Sequence, residues 1–162
     1  MNGSKSGLTS GDQTSLEQGE YAQAVAENEQ VLHEQYLRDI LPATSPLHIP
    51  EDAIIREEAK TGYSQVKYTW TSGEYKYTSR WHTRTPEAPP EQGTSWVVER
   101  RRPGIGYGKN ARPLIHEVMI KTENGSKWIP FTEWKEAITA KKSGTISEEQ
   151  KELLKNGHWP DY

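Results

Sequence analysis

The chain has 162 residues, a formal net charge of −3, no cysteine and a hydrophobic share of 32%, with six Trp and eight Tyr. The missing cysteine excludes disulfides and thiolate metal sites, and no apolar run is long enough to cross a membrane. That length predicts one domain with an extension, whose small core is built on aromatic rings.

Residues 1–12 are rich in Gly, Ser and Thr and are expected to be disordered or a linker. Their opening, MNGSKSG, lacks the apolar stretch of a signal peptide. A helical N-terminal segment is expected over 13–62. Within it Tyr21, Val25, Leu32, Tyr36 and Ile40 fall on one helical face, which predicts a core helix or a partner-binding one, ended by Pro42. Pro50, Glu51 and Asp52 then suit the start of a second short helix over Glu51–Lys60, with Ile54 and Ile55 buried and Gly62 as its stop.

At Tyr63 the period changes from helical to alternating. Val66, Tyr68 and Trp70 share one face. After the turn Thr71–Glu74, so do Tyr75, Tyr77 and Trp81, which predicts a hairpin with these rings inward. Arg80 and His82 then take the opposite face, with Arg84 next in phase. A Pro-rich loop, 85–93, leads to a third strand over Thr94–Arg102. There Val97, Glu99 and Arg101 oppose Trp96, Val98, Arg100 and Arg102. A glycine-rich loop, 105–112, precedes a fourth strand, Leu114–Lys121, in which His116, Val118 and Ile120 oppose Glu117 and Met119. Asn124-Gly125 marks a hairpin turn, and the returning strand belongs on an edge because Pro130 lacks a donor. Two short helices close the chain. One begins after Thr132 as N-cap, and the other at Ser147-Glu148-Glu149-Gln150, a capping-box pattern with Gly157 as its stop. Helices, then an antiparallel meander of four or five strands, then helices argue for an α+β fold, with the domain proper at 63–162.

Charge is unevenly spread. Residues 1–60 carry −7, residues 61–121 carry +5 and the remainder −1. The basic middle suits an anionic partner, or is ordinary solvated surface. It also holds the residues best suited to phosphodiester chemistry. Metal-free RNA cleavage needs a base for the 2′-OH, an acid for the leaving oxygen and cations for the charged phosphorane. Histidine suits the first two roles and arginine the third. His82 with Arg80, Arg84 and the run Arg100, Arg101, Arg102 is therefore the first candidate constellation, against the plainer view that these are solvated strand residues balancing Glu87, Glu91 and Glu99. His116 with Glu117 is the second. Adjacent strand residues face opposite sides, so His116 is either a hydrogen-bonded core residue or an acid/base, and Glu117 serves only if it shares the face of His82. Tyr107 and Lys109 in the glycine loop are candidate substrate contacts or part of a plain turn. The loop fits neither a Walker A nor a GxGxxG pattern. His158, beside Trp159, either caps the last helix or folds back into the site. The scattered histidines give no metal-ligand spacing, so no metal or cofactor is expected.

The segments SRWHTRTPEAPP, SWVVERRRPGIGYG, WIPFTEWKEAITAKKSG and LLKNGHW resemble C-terminal effector domains of bacterial polymorphic toxins of the contact-dependent or LXG type. The resemblance covers about residues 63–162 and does not single out one family. It implies a small α+β nuclease domain, secreted as part of a larger toxin, acting in the cytoplasm of a target bacterium and neutralised by a cognate immunity protein. It points to His82, Arg84, Arg101 and His116 as catalytic, on RNA, possibly tRNA, as substrate. Net acidity departs from the usual basic nuclease. A non-catalytic anion- or nucleic-acid-binding module, a DNase and a NAD-consuming enzyme are the alternatives.

Overall fold

The computed structural model describes residues 10–162, with side chains described from residue 17. Most of the expected linker, residues 1–9, lies outside the described residues, and residues 10–12 already belong to a helix, α1 (Ser10–Gln35). The chain divides into two compact units, Met1–Ile40 and Leu41–Tyr162.

In the first unit α1 runs for 26 residues and passes into a π-helical turn, Tyr36–Ile40. Its apolar stripe is not a core face, since Tyr21 is 74% exposed and Val25, Leu32, Tyr36 and Ile40 are exposed too. The reason is visible in composition. Gln and Glu interrupt the apolar positions so often that the stripe is far narrower than a core-facing helix needs.

The second unit is organised around one antiparallel sheet. Its path is β1 (Ile54–Lys60), β2 (Tyr63–Ser72), β3 (Tyr75–His82), β4 (Ser95–Arg102), β5 (Ile115–Thr122) and β6 (Gly125–Pro130), each paired with the next. A two-residue strand, β7 (Trp159–Pro160), pairs with the start of β4. Helices α2 (Phe131–Ser143) and α3 (Glu148–Gly157) complete the unit. The fold is α+β, as the segregation of elements predicts, but the sheet has seven strands rather than four or five.

The expected helix over Glu51–Lys60 is instead a turn followed by β1, with Ala53 N donating to Pro50 O at 3.1 Å. Two local features override the acidic start. Ile54 and Ile55 are β-branched and favour extended backbone. Gly62, at φ 83°, closes a two-residue hairpin loop between Lys60 and Tyr63 rather than stopping a helix. A Cβ there would also meet Pro86 Cγ at 2.6 Å, so the loop needs glycine for space as well as for φ. Helix α2 starts two residues earlier than expected, with Pro130 at the N-cap in place of Thr132. The capping box at Ser147 and Gln150 forms as predicted, and β6 lies on the sheet edge.

Register sorts the side chains into two faces. On one, Val97, Val118, Ile120 and Ile129 pack with Trp134 and Ala137 of α2 and Leu154 of α3 as the hydrophobic core. On the other, the segment 41–53 lies against the sheet. Trp96 Nε1 donates to Thr44 Oγ1 at 2.9 Å, and the Ser45 and Ser79 hydroxyls are 2.8 Å apart. The centre of the sheet is therefore covered on both sides. Strand parity does separate Tyr75, Tyr77 and Trp81 from Arg80 and His82, but it does not make the second set solvent-facing. His82 is 5% exposed, whereas Trp81 is only half-buried.

Candidate functional site

His82 ends β3 and points to the helix-bearing face, where its cross-strand neighbours are Gln65 and Ser95. Near it the sheet and the two helices leave a cleft of about 460 Å³. Its polar and charged walls include Tyr63, Arg80, His82, Lys141, Lys142 and His158. Lysines 141 and 142 come from the last turn of α2, where cations complement the helix dipole.

The two imidazoles meet edge to face, with ring centroids 5.5 Å apart. His82 Nδ1 lies 2.9 Å from Thr83 O, and His158 Nδ1 lies 2.6 Å from Leu154 O. A carbonyl can only accept, so each Nδ1 carries a proton and donates it. In the neutral ring the lone pair is then on Nε2. Burial is the main reason both histidines lose basicity. It pushes His82 below the usual histidine value, reinforced by Arg80 and opposed by the Thr83 hydrogen bond. Burial likewise takes His158 down to about 4, with His82, Lys141 and Arg80 adding like-charge repulsion and the Leu154 bond opposing. At neutral pH the cleft thus holds two uncharged imidazoles beside fixed cations.

A hydrogen-bonded chain extends from this cleft along the same face. Arg80 Nη1 donates to Glu99 Oε2 at 2.9 Å, and His116 Nε2 donates to Glu99 Oε1 at 2.8 Å. His116 also stacks on Phe131, with centroids 4.0 Å apart and planes 11° from parallel. His116 is therefore a half-buried, hydrogen-bonded residue on the face of His82, linked to the cleft through Glu99 and Arg80 rather than lining it.

The other expected site residues lie elsewhere. Glu117 is on the opposite face, where Arg100 Nε donates to its Oε1 at 2.8 Å, so it cannot share the face of His82. The Arg100 guanidinium is held between Tyr75 and Trp128, 4.5 and 4.3 Å from the ring centres. Arg102 lies on that face as well and donates to Pro113 O at 3.3 Å. Arg101 is on the His82 face but exposed, opposite His116 in the ladder and outside the cleft wall. Arg84, beyond the end of β3, donates to Ala88 O at 2.7 Å and braces the Pro-rich loop. Tyr107 is 97% exposed, and neither it nor Lys109 lines the cleft. Alternation along β4 disperses the arginine run because neighbouring side chains must part.

The cleft residues that sequence reasoning under-weighted are His158, Lys141 and Lys142. His158 does cap α3, its backbone N–H reaching Lys155 O, and it reaches the cleft as well. It is brought there by the pairing of Trp159 with Trp96 in β7, a two-residue contact with no periodic signal of its own. Ser95, outside the cleft wall, also carries no sequence signal. Its buried hydroxyl has no hydrogen-bond partner and shares the face of His82 directly across the ladder.

Among the described residues no helix is long and apolar enough to cross a membrane, and no three His, Asp or Glu side chains converge. Comparison with protein-family models, with curated proteins and with solved structures finds no match to this chain.

Proposed function

We propose that the protein is an antibacterial toxin domain whose cleft cleaves RNA by acid–base catalysis without a metal. The observation that carries this is the His82–His158 pair, each ring oriented by an Nδ1–H···O=C bond, beside Arg80, Lys141 and Lys142. In this reading a neutral imidazole Nε2 takes the proton from a ribose 2′-OH, whose oxygen attacks the adjacent phosphorus. The 5′-oxygen leaves with a proton from the other imidazole, giving a 2′,3′-cyclic phosphate. We assign the base to His158, the ring that burial keeps neutral most strongly, and the acid to His82. The incoming phosphodiester favours protonation of the acid, because a nearby anion stabilises the imidazolium. Arg80 keeps donors beyond the one given to Glu99 and stabilises the phosphorane with the two lysines. Glu99 and His116 position Arg80 and are not themselves reacting groups.

The wider setting follows the sequence resemblance: release from a larger secreted toxin, action in a target cell's cytoplasm, and a cognate immunity protein that blocks the cleft. The test is incubation of purified protein with total RNA in EDTA, wild type beside His82→Ala and His158→Ala. Cleavage by wild type alone is expected, with an optimum on the acidic side of pH 6.5, because the acid partner must hold a proton. RNA left intact at every protein concentration sinks the ribonuclease claim. Salt-sensitive RNA binding without turnover would favour the non-catalytic binding module instead.

A further inference from the structure

The cleft does not end at His158. A second pocket of about 520 Å³ adjoins it and shares Gln92, Lys141, Leu154 and His158 as a common wall. Its own charged walls are Lys121 of β5, Lys151 and Lys155 of α3, and Glu91. Lys151 and Lys155 are one helical turn apart and so project on the same side. Of these lysines Lys151 has a carboxylate partner, Glu148 at 3.0 Å, and Lys121 lies 5.9 Å from the centre of the Trp159 ring. The exposed Tyr162 borders the same pocket and offers an aromatic face.

Charge separation is the informative feature. The chain as a whole is acidic, at −3. Along the two adjoining cavities, however, Arg80, Lys121, Lys141, Lys142, Lys151 and Lys155 stand against only Glu87 and Glu91 among their walls. A small anion would be served by the cations of the first cleft. A row continuing through a second pocket of similar size suits a ligand with phosphates repeated along its length.

We infer that the second pocket is a subsite for the neighbouring nucleotides of a polynucleotide strand, which threads past His158 from one cavity into the other. This rests on the ribonuclease reading of the first cleft and extends it, by making the substrate a chain rather than a free nucleotide or dinucleotide cofactor. Lys121 and Lys155 hold backbone phosphates there, and Tyr162 stacks on a base.

The experiment measures fluorescence anisotropy of labelled 2′-O-methyl oligoribonucleotides of two, four and eight residues, which lack the nucleophilic hydroxyl and bind without being cut. Affinity should rise with length. Lys121→Ala/Lys155→Ala should erase the rise while leaving dinucleotide binding unchanged, and should reduce the salt slope by about 1.4 for two lost phosphate contacts on a single strand. Lys155→Glu, at an exposed helix position, repeats the test with little risk to folding. Equal affinity for dinucleotide and octamer overturns the subsite, even if RNA is cleaved. Length-dependent binding without cleavage retains the groove and removes the chemistry. Equal competition by inorganic polyphosphate overturns the assignment to nucleic acid.

Discussion

Lowering the pH tests the character of the cleft most directly, through His158. In the unfolded chain this histidine titrates near 6.5, and in the fold near 4. The native state therefore resists a proton that the unfolded state accepts. Its contribution to stability is fully present above 6.5 and is lost as pH falls from there toward 4. The full difference corresponds to about 3 kcal/mol, of which about 2 kcal/mol is lost by pH 5. Below 4 both states are protonated and the loss levels off. Carboxylates also titrate in this range, so the comparison must be internal. Urea unfolding of wild type and His158→Gln from pH 7.5 to 4 isolates the term, since the glutamine variant lacks the group but keeps the rest. Wild type should lose about 2 kcal/mol more than the variant by pH 5. In parallel, the His158 ring protons should titrate near 4, well below the ordinary histidine value. Titration of His158 near 6.5, with parallel stability curves, would refute the burial of this ring as described, and with it the neutral, Nδ1-protonated pair.

Two further predictions concern the frame that holds the site. A Cβ on Gly157 would meet Trp134 Cζ3 at 2.1 Å and Cη2 at 2.5 Å, and Trp134 is buried and cannot withdraw. Gly157→Ala should thus lower stability by about 1–3 kcal/mol in a thermal melt, despite alanine's usual advantage within helices. An unchanged or higher melting temperature would mean that α3 does not press on Trp134 as closely as described. Glu99→Gln keeps one acceptor and loses the charge shared by Arg80 and His116, so the urea midpoint should fall by about 1 kcal/mol in free-energy terms. RNA cleavage should fall with it, because Arg80 loses its anchor; cleavage at the wild-type rate would remove Arg80 from the mechanism.

Most local structure is legible in the order of residues alone. Alternating aromatic and β-branched residues specify the β2–β3 hairpin and the courses of β4 and β5, because a period of two is a local property. The turn glycines and the Ser147 capping box are legible for the same reason. Strand parity also correctly separated His116 from Glu117 and split the Arg100–Arg102 run, but left open whether Glu117 shared the face of His82, which the sheet register rules out. What parity could not say is which face is dry, since that depends on the elements that come to lie on it. Segment 41–53 covers one face and α2 and α3 the other, so His82 is buried rather than solvent-facing. In β1 the β-branched Ile54 and Ile55 favour a strand, but the acidic start suits a helix equally well, and the pairing with β2 and the loop packed against Pro86 settle the choice. The same holds for His158. A two-residue pairing of Trp159 and Pro160 with Trp96 and Ser95 carries the end of the chain across the sheet, and so sets a histidine from its end against one from its middle. Contacts between residues far apart in sequence leave no periodic trace in it, and the candidate site is made of such contacts.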